Sequence, residues 1–182
     1  MRAVTAVATC LPRAREIMRL SALFLALSIG SSEAQTGLPF GLNFGMSRAA
    51  AKAQLAAFAA YTTDSHDPHV LAYVLLAPDT DTKNGLFLTF DADKLVEFAS
   101  TKTDMAFDLY RKYLNGLLAQ AKAWKAAGMT PVLENSENNF YAYKDDKTVA
   151  SVSGSNMSKS KQFEVTVSFT EKVFFCRLHP VC

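Results

Sequence analysis

The sequence lacks most of the features by which a catalytic function is usually recognised. Its 182 residues include three cysteines and one tryptophan, and no apolar run approaches the roughly 20 residues of a membrane-spanning helix. It has no glycine-rich phosphate loop, no dinucleotide fingerprint and no G-x-S-x-G nucleophile elbow. We therefore expect no cofactor and favour a non-enzymatic function, while a Ser-His-acid triad assembled only by the fold stays open.

A surplus of basic charge is also missing. The chain carries 19 basic and 17 acidic residues, but four of those arginines and two of those glutamates fall within residues 1–34. Residues 35–182 therefore hold 15 of each sign, a formal net charge of zero. Proteins that bind nucleic acid or anionic membranes usually show a basic patch, and a balanced chain gives no such electrostatic footprint. We expect this protein to bind neither.

The start of the chain carries the clearest signal. Arg19 precedes an apolar run at residues 20–29, which is followed by a stretch of small residues ending at Ala34. A positive segment, a short apolar segment and a small-residue cleavage site are the parts of a secretory signal peptide. We predict a leader over residues 1–34 and one soluble domain over residues 35–182, located in the periplasm or secreted.

The two cysteines outside the leader, Cys176 and Cys182, close a short loop at the C-terminus. An exported protein meets an oxidising compartment, where such an even pair is typical of a disulfide. A zinc site needs about four ligands, and this segment offers only His179 in addition. We predict a disulfide that stabilises the terminus by about 2–3 kcal/mol in the loop-entropy model.

Two stretches show the three- and four-residue apolar spacing of amphipathic helices. The first begins at the N-cap Ser47 and extends to about Ala60, and the second begins near Thr103 and Asp104 and ends at Gly128. An apolar stripe on each predicts that both helices pack on another element.

Six runs rich in β-branched and aromatic residues predict that this element is a sheet. They lie at residues 70–76, 86–90, 95–98, 140–143, 148–152 and 162–169. In the last run apolar and polar residues alternate strictly, which is typical of an antiparallel sheet with one wet face. We predict an α+β fold with two amphipathic helices on one face of an antiparallel sheet, and the order helix, three strands, helix, three strands indicates a tandem αβββ duplication.

The segment Phe40-Gly-Leu-Asn-Phe-Gly-Met-Ser47, continued by a helix with Lys52 and Leu55, resembles a known helix start. It is similar to that of small bacterial periplasmic proteins of the β-lactamase-inhibitor-protein-like and SmpA/OmlA-like families. The resemblance covers about 20 residues. It implies a helix-plus-antiparallel-sheet module, a tandem repeat in the case of the inhibitor, that binds another envelope protein without catalysis.

We accordingly expect an exported, non-catalytic protein-binding or inhibitory module. Tyrosine is a frequent anchor of protein interfaces, and Tyr141 should point away from Phe140 on its strand. Arg177 and His179 lie in the cysteine loop, and a loop closed by a disulfide loses less entropy on binding. These three residues are our candidates for partner contacts. For the aromatic residues of this strand, however, burial beneath the second helix is the simpler explanation.

The alternative is a periplasmic protein that binds a metal or a small ligand. Asp64, His66, Asp67 and His69 offer imidazole and carboxylate ligands within one short segment. The same segment also reads as a polar linker punctuated by Pro68. A pocket between the second helix and the sheet is the other place where a small ligand could bind.

We predict that the exported protein begins at Gln35 and carries one disulfide, whichever of Met1 and Met18 starts translation. Intact mass before and after reduction measures both properties, because cleavage removes residues 1–34 and reduction adds two hydrogens. A mass that retains the leader, or that reduction leaves unchanged, would contradict the prediction.

Overall fold

The computed structural model describes residues 38–56, 61–63, 67–75, 83–157, 162–180 and 182, so the predicted leader lies outside it. A 3-10 turn at Pro39–Gly41 precedes helix α1, Arg48–Ala56; α2 is Phe107–Ala126 and α3 is Lys172–Leu178. The strands are β1 Tyr61–Thr63, β2 Val70–Leu75, β3 Lys83–Asp91, β4 Lys94–Met105, β5 Thr130–Asn135, β6 Phe140–Lys144, β7 Thr148–Met157 and β8 Gln162–Glu171.

All eight strands belong to one antiparallel sheet in the order β1-β2-β3-β4-β8-β7-β6-β5. Each half of the chain therefore forms a four-stranded meander, and the last strands of the two meanders pair at the centre. Along this seam Phe98 of β4 lies opposite Phe169 of β8, and Ser100 opposite Val167. The α+β class and the antiparallel sheet are confirmed, whereas a duplication of sequence stays a prediction.

Tight turns with specific backbone chemistry join neighbouring strands. Ala92 and Asp93, between β3 and β4, both have positive φ, 47° and 63°, as a two-residue hairpin turn with the twist of the strands requires. Between β6 and β7, Asp145 Oδ1 accepts hydrogen bonds from the backbone N–H groups of Lys147 and Thr148, each at 2.7 Å. Both turns lie between the strand runs that the sequence predicts, at residues 91–94 and 144–147.

The first apolar cluster lies beneath α1. Ala51 and Leu55 of this helix are almost fully buried against side chains of β2, β3 and β4, among them Leu88 and Phe98. The four-residue spacing of Ala51 and Leu55 places both on one helix face, as the sequence pattern predicts. Phe169 of β8 also packs against this cluster, so the core crosses the central seam.

The second apolar layer lies beneath α2, on the same side of the sheet. Trp124 and Ala121 pack with Tyr143 and Val152, and Tyr110 and Leu114 pack further along the helix. α2 approaches β7 so closely that a Cβ on Gly154 would lie 2.7 Å from Leu114 Cδ1 and 2.8 Å from Tyr110 Oη. A glycine at this position allows the close contact of helix and strand.

The structure corrects several predicted boundaries. Thr103 and Asp104 belong to β4, and α2 begins three residues after Asp104, because β4 continues through an irregularity at which Asp104 has φ 59°. β1 and β5 were not expected, since β1 has three residues and β5 contains Pro131 without alternating burial, as edge strands tolerate. Within the part of the chain described, no helix is long and apolar enough to span a membrane.

The third helix is also a correction, both in existence and in position. The sequence predicts helices on one face only, but α3 packs on the opposite side of β7 and β8 from α2. Its last three residues overlap the predicted cysteine loop, which begins at Cys176. Two phenylalanines, Phe174 and Phe175, precede that cysteine in the helix. A helix this short shows no reliable periodicity, so tertiary packing decides its formation.

We predict opposite effects for two glycine substitutions that touch the same helix. Gly154→Val should lower the free energy of unfolding by about 1–2 kcal/mol, because overlap with Leu114 and Tyr110 outweighs the better strand propensity of valine. Gly116→Ala should raise it by about 1 kcal/mol, because nothing lies within 4 Å of a Cβ there and alanine is the better helix former. Urea denaturation measures both, and equal shifts would contradict the packing of α2 on β7.

Candidate functional site

The side of the sheet opposite α1 and α2 is polar. β8 turns Val167 towards the helices, so Thr166 and Ser168 stand on the other side. There the hydroxyl oxygens of Thr101 and Thr166 lie 3.0 Å apart, and those of Ser151 and Ser168 lie 2.7 Å apart. Cross-strand hydroxyl pairs of this kind stabilise a solvated sheet face. This side, hereafter the polar face, is where the functional candidates lie.

α3 covers part of the polar face. It follows β8 without a loop, Glu171 being its N-cap, and packs on β7 and β8. The rings of Phe175 and His179 lie 4.3 Å apart between centroids, and the backbone N–H of His179 donates to the Phe175 carbonyl oxygen at 2.9 Å. His179 is thus fixed at the C-terminal end of the helix.

Three further contacts hold α3 in place. Arg177 pairs with Asp91 of the β3–β4 hairpin at 2.6 Å, and Lys144 Nζ donates to the carbonyl oxygen of Cys182 at 2.6 Å. The Arg177 and Asp91 side chains are 58% and 45% exposed, so this ion pair contributes at most about 1 kcal/mol. Cys176 and Cys182 lie at disulfide distance, with Cα atoms 5.1 Å apart, which returns the terminus to the helix.

A cleft of about 420 Å³ lies between α3 and the polar face, and we name it the α3 cleft. Its walls are mainly apolar and come from β5, β6 and α3, namely Val132, Leu133, Phe140, Ala142, Phe174, Phe175 and Leu178. Its floor is polar and comes from β4, β7 and β8, namely Glu97, Ser151, Ser168 and Thr170; His179 lines one end. The volume is in the range of small-molecule sites, about 300–1,000 Å³.

Glu97 is the one carboxylate that lines the α3 cleft. Its Oε2 accepts a hydrogen bond from Thr89 Oγ1 at 2.9 Å, and its Oε1 accepts from Thr170 Oγ1 at 3.5 Å. Among the residues that the structure describes, no cation lies within ion-pairing distance of Glu97. Two neutral hydroxyls of the described residues therefore orient the carboxylate.

The α3 cleft contains the residue types of a hydrolytic triad but not its hydrogen bonds. Ser151 Oγ is paired with Ser168 Oγ, and Glu97 is bonded to threonines. Within the described residues, no hydrogen bond joins the His179 ring to a serine or to Glu97. Nucleophilic catalysis needs a base in contact with the nucleophile. This arrangement lends no support to a serine hydrolase.

β5, whose Leu133 forms one wall of the α3 cleft, is held from its other side by α2. Glu134 Oε1 accepts hydrogen bonds from Tyr143 Oη at 2.6 Å and from Lys125 Nζ at 3.0 Å. These two hydrogen bonds lower the pKa of Glu134. Burial, reinforced by the hydrogen bond to Glu134, raises the pKa of Tyr143 to about 12. The hydrogen bonds among Glu134, Tyr143 and Lys125 fix the position of the edge strand β5 and therefore of Leu133.

The second feature of the polar face is an exposed aromatic ring on β3. Phe87 is 39% exposed and lies directly opposite Ala72 of β2 and Ala99 of β4. A Cβ on Gly85 would lie 2.9 Å from Phe87 Cε2, so the ring rests over this glycine. Phe87, Ala72, Ala99 and Gly85 form what we name the Phe87 patch, in which the Phe87 ring is exposed and Ala72 beside it is buried.

The structure places Tyr141 on one side of the sheet and the other two predicted partner-contact residues, Arg177 and His179, on the other side. Tyr141 points to the helix side, where it is half-buried against the cluster around Trp124. Arg177 is exposed on α3, and its guanidinium lies 5.1 Å from the centroid of the Phe174 ring. His179 lines the α3 cleft. The structure thus joins Arg177 and His179 on one element and separates Tyr141 from them, and their binding roles stay predictions.

The predicted metal-binding segment is described only in part. Asp64 and His66 lie outside the described residues. Asp67 Oδ1 accepts a hydrogen bond from the backbone N–H of His69 at 2.8 Å, which makes it a turn-forming residue just before β2. In the described ranges no three His, Cys, Asp or Glu residues form a metal-binding group.

Sequence reasoning missed Phe87, Glu97 and the Phe174–Phe175 pair as site residues. Phe87 alternates with the buried Leu86 and Leu88, a signal that it faces away from the core. Glu97 likewise stands between two buried residues of β4, Val96 and Phe98. No sequence signal connects Glu97 with α3, because strand order alone brings these segments together.

Together these features define an α+β protein with a helix-covered core on one side of its sheet and a partly covered polar face on the other. No family model, curated protein or solved structure matches the chain. The resemblance to β-lactamase-inhibitor-protein-like and SmpA/OmlA-like proteins therefore stays a prediction.

We predict that α3 is stabilised by the disulfide between Cys176 and Cys182 and that its own helical propensity is not sufficient. A Cys176→Ser, Cys182→Ser double variant should increase hydrogen exchange at residues 172–178 at least about tenfold, because an isolated seven-residue helix is marginal in water. Exchange at residues 163–170 of β8 should stay nearly constant, which serves as the internal control. Exchange rates unchanged in α3 would contradict this dependence.

Proposed function

We propose that this protein is an exported, non-catalytic module that binds another protein of the cell envelope through the Phe87 patch. Such a contact would inhibit a partner whose functional cleft it covers. The exposure of Phe87, 39%, among the hydroxyl-bearing strands of the sheet side opposite α1 and α2 is the observation on which the proposal rests. A large aromatic residue exposed beside small residues is typical of the centre of a protein interface.

The surroundings of Phe87 favour a protein over a smaller ligand. Ala72 and Ala99, opposite the ring on the two neighbouring strands, have small side chains that provide no walls to enclose a small molecule. The hydroxyls of Thr101 and Thr166 lie nearby on the same face and can form the polar rim that protein interfaces have. Glu97 and the zero formal net charge of residues 35–182 disfavour nucleic acid.

The ring is also positioned in advance. Because it rests over Gly85, its orientation is restricted before any partner arrives. Restricting a side chain in the free protein lowers the entropy lost on binding. Gly85 is therefore the second residue whose change should weaken binding, since a methyl group there would displace the ring.

A photo-reactive phenylalanine analogue at position 87, in the exported protein, should form a covalent adduct with one discrete envelope protein. The matched control carries the analogue at position 107, since Phe107 is 51% exposed but lies at the start of α2 on the other layer. Adducts at both positions with the same proteins, or at neither position, would contradict a specific contact at the Phe87 patch.

With the crosslinked partner purified, Phe87→Ser should weaken binding at least about tenfold, a loss of about 1.4 kcal/mol. Gly85→Ala should weaken it less, and Phe107→Ser should leave it unchanged. Calorimetry gives the three affinities, and thermal unfolding checks that each variant is folded. Binding to Phe87→Ser at the wild-type affinity would overturn the proposal.

A further inference from the structure

The α3 cleft combines one negative charge with apolar walls. The proposed protein contact at the Phe87 patch does not involve this cleft. Glu97 lies on its floor, oriented by the hydroxyls of Thr89 and Thr170 and without a cationic partner among the described residues. A carboxylate already held by two donors loses little freedom when a cation arrives. The charge of the cleft thus selects a cationic occupant and disfavours an anionic one.

The walls define the rest of the occupant. Leu133 and Leu178 remain 46% and 57% exposed, and rings of Phe140 and Phe174 line the same space. An apolar body would remove this surface from water, and an aromatic ring can also attract the cation itself. The paired hydroxyls of Ser151 and Ser168 add a neutral hydrogen-bonding site on the floor.

The size of the space favours a small molecule. About 420 Å³ is enough for an ammonium group with an aromatic or short alkyl body, and the cleft is closed on one side by the sheet and on the other by α3. A metal ion would need several oxygen, nitrogen or sulfur ligands, and among the described residues that line the cleft only Glu97 and His179 are of the His, Cys, Asp and Glu types.

We propose that the α3 cleft binds a small organic ammonium ion, whose charged head pairs with Glu97 and whose apolar body packs against the phenylalanine and leucine walls. This site borders the Phe87 patch, since Glu97 lies opposite Thr89, two residues along β3 from Phe87, but neither proposal depends on the other. Arg177 and Cys176 serve it indirectly, because they hold in place the helix that forms one wall.

The test compares three probes of similar shape on the oxidised protein, at about pH 8, where imidazole groups ordinarily carry no charge. The probes are 2-phenylethylammonium, the neutral 2-phenylethanol and the anionic 3-phenylpropionate. Amide chemical shifts report binding and its location. We expect the ammonium probe to bind at least about tenfold more tightly than the alcohol, with shifts confined to residues around Glu97, Ser168 and α3, and the anion not to bind.

Glu97→Gln tests the role of the charge, since glutamine keeps the shape, and its Oε1 can accept from one of the two threonines while its Nε2 donates to the hydroxyl oxygen of the other. It should abolish the preference for the ammonium probe over the alcohol and leave the affinity for the alcohol nearly unchanged. Glu164→Gln is the matched control, because Glu164 stands on the same side of β8 but does not line the cleft. It should leave all affinities unchanged.

Equal affinities for ammonium and alcohol would overturn the proposal, since the carboxylate would then contribute nothing. Ammonium-induced shifts that lie elsewhere, or that Glu97→Gln and Glu164→Gln reduce alike, would also overturn it and would point to unspecific attraction of a cation. The comparison of probes on the unaltered protein decides the question even if Glu97→Gln fails to fold.

Discussion

The pairing of β4 with β8 is the constraint on which the rest of the molecule depends. These strands are far apart in sequence, and their ladder fuses two meanders into one continuous sheet. Register then sets which side chains share a face. Phe98 and Phe169, opposite one another with ring centroids 6.3 Å apart, both face the helices, and Trp124 meets Phe169 edge-on at 5.8 Å. The cores beneath α1 and α2 thus form one layer, and the other side of the sheet stays polar.

That asymmetry creates two different surfaces on the polar face. Where α3 crosses β7 and β8, it closes a cleft with a charged floor and apolar walls. Where it does not, the face presents one aromatic ring, Phe87, beside small side chains. A surface without walls suits a macromolecule and an enclosed one suits a small ligand, for the geometric reason that burial of a small ligand requires walls. The two proposals follow from the position of one short helix.

Local patterns predicted the parts of the fold that depend on neighbouring residues. The buried Leu114, Ala121 and Trp124 of α2 follow the helical spacing, and the alternation in β8 gives its two faces correctly. Prediction was wrong where a long-range contact overrides a local signal. Thr103 and Asp104 resemble a helix start, but they extend β4. Pro131 argues against a strand, yet β5 lies at a sheet edge, where an unpaired position tolerates proline.

The sequence by itself determined the α+β class of the protein, the proximity of its two C-terminal cysteines and the apolar faces of α1 and α2, while the leader stays a prediction. All of these depend on residues within a few positions of one another, where spacing fixes geometry. Only the tertiary structure decided that Glu97 meets Thr170, that Arg177 meets Asp91, and that α3 lies over the polar face. The first two contacts join residues 73 and 86 positions apart, and the order in which the strands pair, which no local pattern encodes, brings them together.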